Sequence, residues 1–192
     1  MNYKEKFLKL FNFLIKNKDY TIPNKLNGKY ITYQEKDRIE EWFKNGLLHR
    51  NGKPALIKTN GKDSLFGGWY ISEWYQNGKL HRDDGPAIMT ASGTKEWYQN
   101  GLLHRDDEPA IIEANGNKRW YQNGLLHRED GPAIYINNGN NDVEIAYYLN
   151  GIHYLKENFE EAKQKLKLKL ELSQELEIAK PIGTTRQKKL KI

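Results

Sequence analysis

Apolar residues come in short bursts through the middle of the chain, broken every few positions by Asn-Gly, Ser-Gly or Gly-Pro. At the two ends they fall into longer helical stripes. Phe7, Leu10, Phe11 and Leu14 lie three or four apart, which predicts an amphipathic helix over residues 1–20. Residues 155–179 contain no Gly or Pro and are mostly Glu, Lys, Leu, Ala and Gln, good helix formers, so a second helix is expected within 154–180. The strict alternation of "KLKLKLEL", residues 165–172, would equally suit a strand.

Between the helices, over 21–153, one sentence is repeated. "EWYQNGKLHRDDGPAI" from Glu73, "EWYQNGLLHRDDEPAI" from Glu96 and "RWYQNGLLHREDGPAI" from Arg119 are near copies. A looser version starts at Glu41, and the Asn-Gly pairs at 45, 77, 100, 123 and 150 mark five copies. An insertion at 60–72 lengthens the first period. Asn-Gly between aromatic and aliphatic residues is a strong hairpin signal, because a type I′ turn needs positive φ at both central positions. With Asn77-Gly78 as a two-residue loop, Gln76 faces Lys79, Tyr75 faces Leu80, Trp74 faces His81 and Glu73 faces Arg82. Trp-His contacts and Glu-Arg pairs are then expected in successive copies. Arg119 would face Arg128 and leave that copy's carboxylate to be found elsewhere, with Asp130 as the candidate.

If Ser92-Gly93 and Asn115-Gly116 also close two-residue loops, Ile88 lies opposite Trp97 and Ile111 opposite Trp120. The expected result is a mainly β, elongated antiparallel hairpin array, one long meander, flanked by a helix at each end. Gly85 and Gly131 read as bends, and Glu108, in the place of those glycines, predicts a loop of different shape.

Composition narrows the partners. The chain has no cysteine, which excludes disulfides, thiolate metal sites and a cysteine nucleophile, and reads as a cytoplasmic protein. No signal sequence and no membrane-spanning run is read from it. The net charge of +6 sits at the ends: residues 39–153 hold twelve Lys/Arg against fifteen Asp/Glu. A phosphate backbone would be drawn to the termini, above all to Arg186, Lys188, Lys189 and Lys191 in the tail 181–192, rather than to the repeats.

His81, Asp83 and Asp84 have the chemistry of a general base or a metal site. A catalytic set, however, is gathered once in a pocket, whereas the five histidines are read as one repeat position. Trp74, His81, Arg82, Trp97, His104, Arg105, Trp120, His127 and Arg128 are therefore assigned to architecture, with no catalytic residue, metal or cofactor expected. Candidate partner contacts are the aromatics of the insertion (Phe66, Trp69, Tyr70), those of the last copy (Tyr147, Tyr148) and the basic tail.

The pattern aromatic-aromatic-x-Asn-Gly-x-x-His-Arg-x-x-Gly-Pro-Ala resembles the divergent MORN-like repeats of bacterial, phage and giant-virus proteins, over roughly residues 40–153. The resemblance implies stacked hairpins in a single sheet and a non-enzymatic binding scaffold. It implies a protein partner, with a phage-type inhibitor of a CRISPR-like defence nuclease as the specific version. Nucleic acid bound through the termini and exposed aromatics, and a scaffold or antitoxin-type role, are the alternatives.

Overall fold

A computed structural model describes residues 26–34, 37–60, 70–140 and 142–178. The expected N-terminal helix, Phe66, Trp69 and the basic tail lie outside the described residues. In chain order the strands are β1 (Gly28–Gln34), β2 (Asp37–Lys44), β3 (Leu47–Leu48), β4 (Leu56–Asn60), β5 (Tyr70–Glu73), β6 (Tyr75–Gln76), β7 (Lys79–Leu80), β8 (Ile88–Thr90) and β9 (Lys95–Glu96). They continue as β10 (Tyr98–Gln99), β11 (Leu102–Leu103), β12 (Ile111–Ile112), β13 (Lys118–Arg119), β14 (Tyr121–Gln122), β15 (Leu125–Leu126), β16 (Ile134–Gly139), β17 (Asp142–Leu149) and β18 (Ile152–Tyr154). Helix α1 (Lys156–Ile178) follows, so the alternating leucines of 165–172 are helical.

The sheet runs β1-β2-β4-β5-β8-β9-β12-β13-β16-β17-β18, an antiparallel meander in which sequence neighbours are spatial neighbours. The inner copies each add a small separate hairpin: β6 with β7, β10 with β11, β14 with β15. The molecule is a long sheet with a row of hairpin tips along one side. Its core is thin. The residues with no exposure at all are Ala55, Ala87, Ala110 and Ala133, and no large side chain is fully buried among the described residues. Each alanine carbonyl accepts the backbone N–H of its copy's tryptophan at 2.8 Å, so a small residue is needed where tip and sheet meet.

The Asn-Gly turns form as expected. Asn77 and Gly78 have φ of 50° and 77°, and Tyr75 pairs with Leu80 and Gln76 with Lys79. The backbone N–H of His81 donates to the carbonyl of Trp74 at 3.0 Å, extending that register by one pair. The turns between hairpins differ from expectation. Ile88 pairs with Glu96 and Ile111 with Arg119, one residue away from Trp97 and Trp120. The loop holds three residues, Ala91-Ser92-Gly93, with Gly93 at φ 96° in the left-handed place that closes such loops. That one-residue change sends the side chains to opposite faces. Glu41, Leu56, Glu73, Ile88, Glu96, Ile111, Arg119 and Ile134 form one row across the sheet, and the tryptophans point the other way.

The Glu-Arg pairs also differ. Glu73 accepts the Tyr75 hydroxyl at 2.7 Å and Glu96 that of Tyr98 at 3.0 Å. Arg119 pairs with Glu113, and Arg128 pairs with Asp130 at 2.6 Å.

Candidate interaction surface

The repeated tryptophan, histidine and arginine come together as a set of bonds between copies. Arg82 lies over the Trp74 ring at 4.3 Å, Arg105 over Trp97 at 3.9 Å and Arg128 over Trp120 at 4.0 Å, with Arg50 over Trp42 at 3.8 Å. The guanidinium, not the imidazole, covers the indole, because the chain leaves the hairpin ladder after the histidine and the long arginine folds back. Two of its N–H donors are used as well. Nη1 of Arg82 donates to the Pro86 carbonyl at 3.2 Å and Nε to Asp84 at 2.7 Å.

Four of the five histidines each join two copies. Nδ1 of His49, His81, His104 and His127 accepts the backbone N–H of Asn77, Asn100, Asn123 and Asn150, at 3.2 Å for the first and 3.1 Å for the others. Nε2 faces an acid or amide two residues on: Asn51 at 2.9 Å, Asp83 at 3.0 Å, Asp106 at 3.3 Å and Glu129 at 3.6 Å. An acceptor at Nδ1 puts the ring proton of the neutral imidazole on Nε2, where the carboxylate can take it. Two backbone bonds complete every junction. At the third, Gly124 N–H donates to Leu103 at 2.8 Å and Arg105 N–H to Tyr121 at 3.2 Å.

The ends of this ladder are built differently. At the start, Leu26 accepts from Gly46 and the Asn27 side-chain oxygen accepts from Asn45, both at 2.8 Å, imitating a preceding Leu-His pair. At the finish, His153 falls three residues after Asn150 rather than four. Tyr154 therefore holds the histidine place, paired with Tyr147, and offers no ring nitrogen to a further turn. The fifth histidine is not equivalent to the other four, in contrast to the sequence reading.

Two loops differ from the rest for a reason visible in the sequence. A Cβ on Gly85 would meet Cζ of Arg82 at 3.0 Å, and one on Gly131 would meet that of Arg128 at 3.3 Å. These glycines have no positive φ, so they supply room for the guanidinium rather than a bend. Where Glu108 stands instead, the backbone takes another path: Asp107 adopts φ 56°, and Arg105 pairs with Glu108. The first copy, with Lys53 at this place, does the same through Gly52 at φ 62°.

The carboxyl groups of Asp84 and Asp130 are held below the usual carboxylate range by the hydrogen bonds and charge of Arg82 and Arg128. On the other face, burial and the neighbouring Glu96 push the Tyr98 hydroxyl up to about 12, and burial with Glu73 raises Tyr75 too. A hollow of about 330 Å³ between the third and fourth copies is lined by Arg105, Asp107, Trp120, His127 and Glu129. Among the described residues no cluster of three His, Asp or Glu is placed to hold a metal ion.

What remains open to a partner lies outside these bonds. Leu47, Leu102, Leu125 and Ile152, each the residue after an Asn-Gly turn, form a half-exposed aliphatic row along the tips, interrupted by Lys79. The loops beyond the histidines expose Asp83, Asp84, Asp106, Glu129 and Asp130. The sequence pattern singles out Asp83 and Asp84 only as candidate general bases or metal ligands, and leaves the aliphatic row unremarked although the position after each Asn-Gly marks it. Of the candidate aromatics, Tyr70 is 43% exposed at the start of β5. Tyr147 packs on Phe159 of α1 at 4.9 Å, and Tyr148 on His153 at 5.1 Å. No helix among the described residues is long and apolar enough to cross a membrane. Comparison with protein-family models, curated proteins and solved structures finds no match in any of the three.

Proposed function

We propose that this is a non-catalytic, MORN-like repeat protein of the cytoplasm that acts by holding another protein along its row of hairpin tips. The observation that carries this reading is the use of the reactive groups. The imidazoles of His49, His81, His104 and His127 each bond the turn of the next copy, and the guanidiniums of Arg50, Arg82, Arg105 and Arg128 each cover an indole, while Leu47, Leu102, Leu125 and Ile152 stand half-exposed along the tips. An aliphatic row beside exposed carboxylates suits a partner with an apolar groove and a basic rim. Inhibition of a nucleoprotein defence nuclease is the specific form proposed, since such enzymes carry extended basic surfaces. The acidic balance of residues 39–153 leaves nucleic-acid binding to the termini as the second reading.

The test is affinity capture from the native host with the wild-type chain and with Leu102→Ser/Leu125→Ser. The reading requires a protein that the wild type retains at moderate salt and the double variant loses. Retention of nucleic acid instead, abolished by salt and by truncation after Lys180, would favour the second reading.

A further inference from the structure

Helix α1 is attached to the array by its first half only. Phe159 is buried and Leu166 is half-buried, whereas every residue from Lys167 to Ile178 is exposed. The projecting half is not polar. Leu168, Leu172 and Leu176 are 57%, 51% and 69% exposed, and their four-residue spacing places them along one side. At about 100° per residue, that side is turned away from the one carrying Phe159 and Leu166. A helix that shows leucine on the side away from its own sheet is incomplete in water.

The sequence of that side specifies its cover. Lys165, Leu168, Leu172 and Glu175 are spaced three, four and three, the spacing of a two-helix seam. The series reads the same in reverse, except that the end charges exchange sign. Packed antiparallel against a second copy, Lys165 faces Glu175, Leu168 faces Leu172, and both contacts occur twice. Packed in parallel, lysine would face lysine and glutamate would face glutamate. Within residues 163–177 the flanking charges follow the same division, with Lys163, Lys167 and Lys169 before the midpoint and Glu171 and Glu177 after it, while Glu157, Glu160 and Glu161 lie outside that stretch.

We propose that α1 joins two copies of this chain into an antiparallel, two-fold symmetric dimer through Leu168 and Leu172, with Lys165 and Glu175 setting the direction. The contact is isologous, so it closes at two copies. Lys165 is 75% exposed and bonds Glu161 of its own helix at 2.6 Å. That exposed pair holds the ammonium on the seam side and is weak enough in water to admit Glu175 of the second copy. The inference does not rest on the proposed function, since the tips and the helix are different surfaces.

The test uses the full chain, with sedimentation velocity over a range of concentration. The mass should rise from 22.6 kDa towards twice that value. Lys165→Glu alone and Glu175→Lys alone should each weaken the dimer on the order of tenfold, since each sets two like-charged pairs in the seam. An equimolar mixture of the two variants should recover a heterodimer, and the double variant Lys165→Glu/Glu175→Lys a homodimer, because both restore every pair. Unchanged circular dichroism of the single variants shows that the fold survives. A wild-type chain that stays monomeric overturns the proposal. So does a dimer indifferent to either reversal, or single variants whose mixture recovers nothing.

Discussion

Nδ1 of His104 lies 3.1 Å from the backbone N–H of Asn123, the first residue of the next copy's turn. That bond spans 19 residues of sequence, and the same bond recurs at His81 and His127. Asn123 is at φ 50°, and its equivalents lie between 50° and 53°, a conformation that costs a non-glycine residue energy unless its surroundings hold it. The histidine therefore stabilises the turn of its neighbour rather than its own.

Replacing His104 by alanine should cost about 1 kcal/mol, the net worth of one hydrogen bond, because the junction at Asn123 is exposed and water can take the freed N–H. His81→Ala should cost a similar amount in chemical denaturation, and His127→Ala more, because His127 is buried and its bond to Asn150 is partly shielded from water. His104→Asn should recover part of the loss, since Asn27 already performs this task with its side-chain oxygen at the start of the array. A far larger effect of one copy on any measured activity, with equal effects on stability, would argue for chemistry at that copy.

The hairpins were legible because Asn-Gly leaves little freedom: both residues must take positive φ, and a two-residue loop then dictates Tyr75 opposite Leu80. The turns between hairpins were not. Ser92-Gly93 is compatible with a two-residue loop and with the last two places of a three-residue loop, and the chain takes the second, closed by the Thr90 N–H donating to the Thr94 carbonyl at 3.1 Å. The arginines escaped for a related reason. Register places a backbone, but a side chain as long as that of Arg82 chooses among Glu73, Asp84 and the face of Trp74 by local geometry. The histidine bonds depend on how one copy lies on the next, which no single copy's pattern states. The changed loop at Glu108 was legible as a difference, though its cause is crowding of the guanidinium rather than a need for positive φ.

Gly85→Ala should destabilise the second copy by about 1 kcal/mol. The added Cβ would lie 3.0 Å from Cζ of Arg82, a group held by Trp74, Asp84 and the Pro86 carbonyl, so it cannot swing aside without losing those contacts. Gly131→Ala, with 3.3 Å to Arg128, should cost less. Thermal unfolding of the two variants gives the ranking. Equal transition temperatures for both and for the wild type would refute the crowding argument.

Arg105→Lys should not preserve stability. An ammonium keeps the charge beside Glu108 but lacks the flat guanidinium that covers Trp97 at 3.9 Å while donating to the Pro109 carbonyl at 3.2 Å. A loss of about 1 kcal/mol is expected, with a change in tryptophan fluorescence as the indole is uncovered. Arg105→Ala should lose more, because it also frees Glu108.

Acid should loosen the loops beyond the histidines before the sheet. Asp84 and Asp130 have carboxyl groups lowered from 3.8 by Arg82 and Arg128. Each therefore contributes stability that is present above its unfolded value and lost as pH falls through the lower folded one. Amide exchange near Arg82 and Arg128 should rise below about pH 4, with Asp84→Asn and Asp130→Asn removing the dependence at their own copies.

Alkali should act on the opposite face with the opposite sign. Tyr98 is raised from 10.0 to about 12 by burial and by Glu96, so the folded state holds its proton more firmly than the unfolded chain does. That contribution is complete below pH 10 and disappears as pH rises through the folded value. Phenolate absorbance should show a late-titrating tyrosine whose ionisation coincides with loss of sheet signal in circular dichroism. Glu96→Gln removes the adjacent charge and should bring the ionisation of Tyr98 earlier, though not to its ordinary value, because burial is the larger cause and remains.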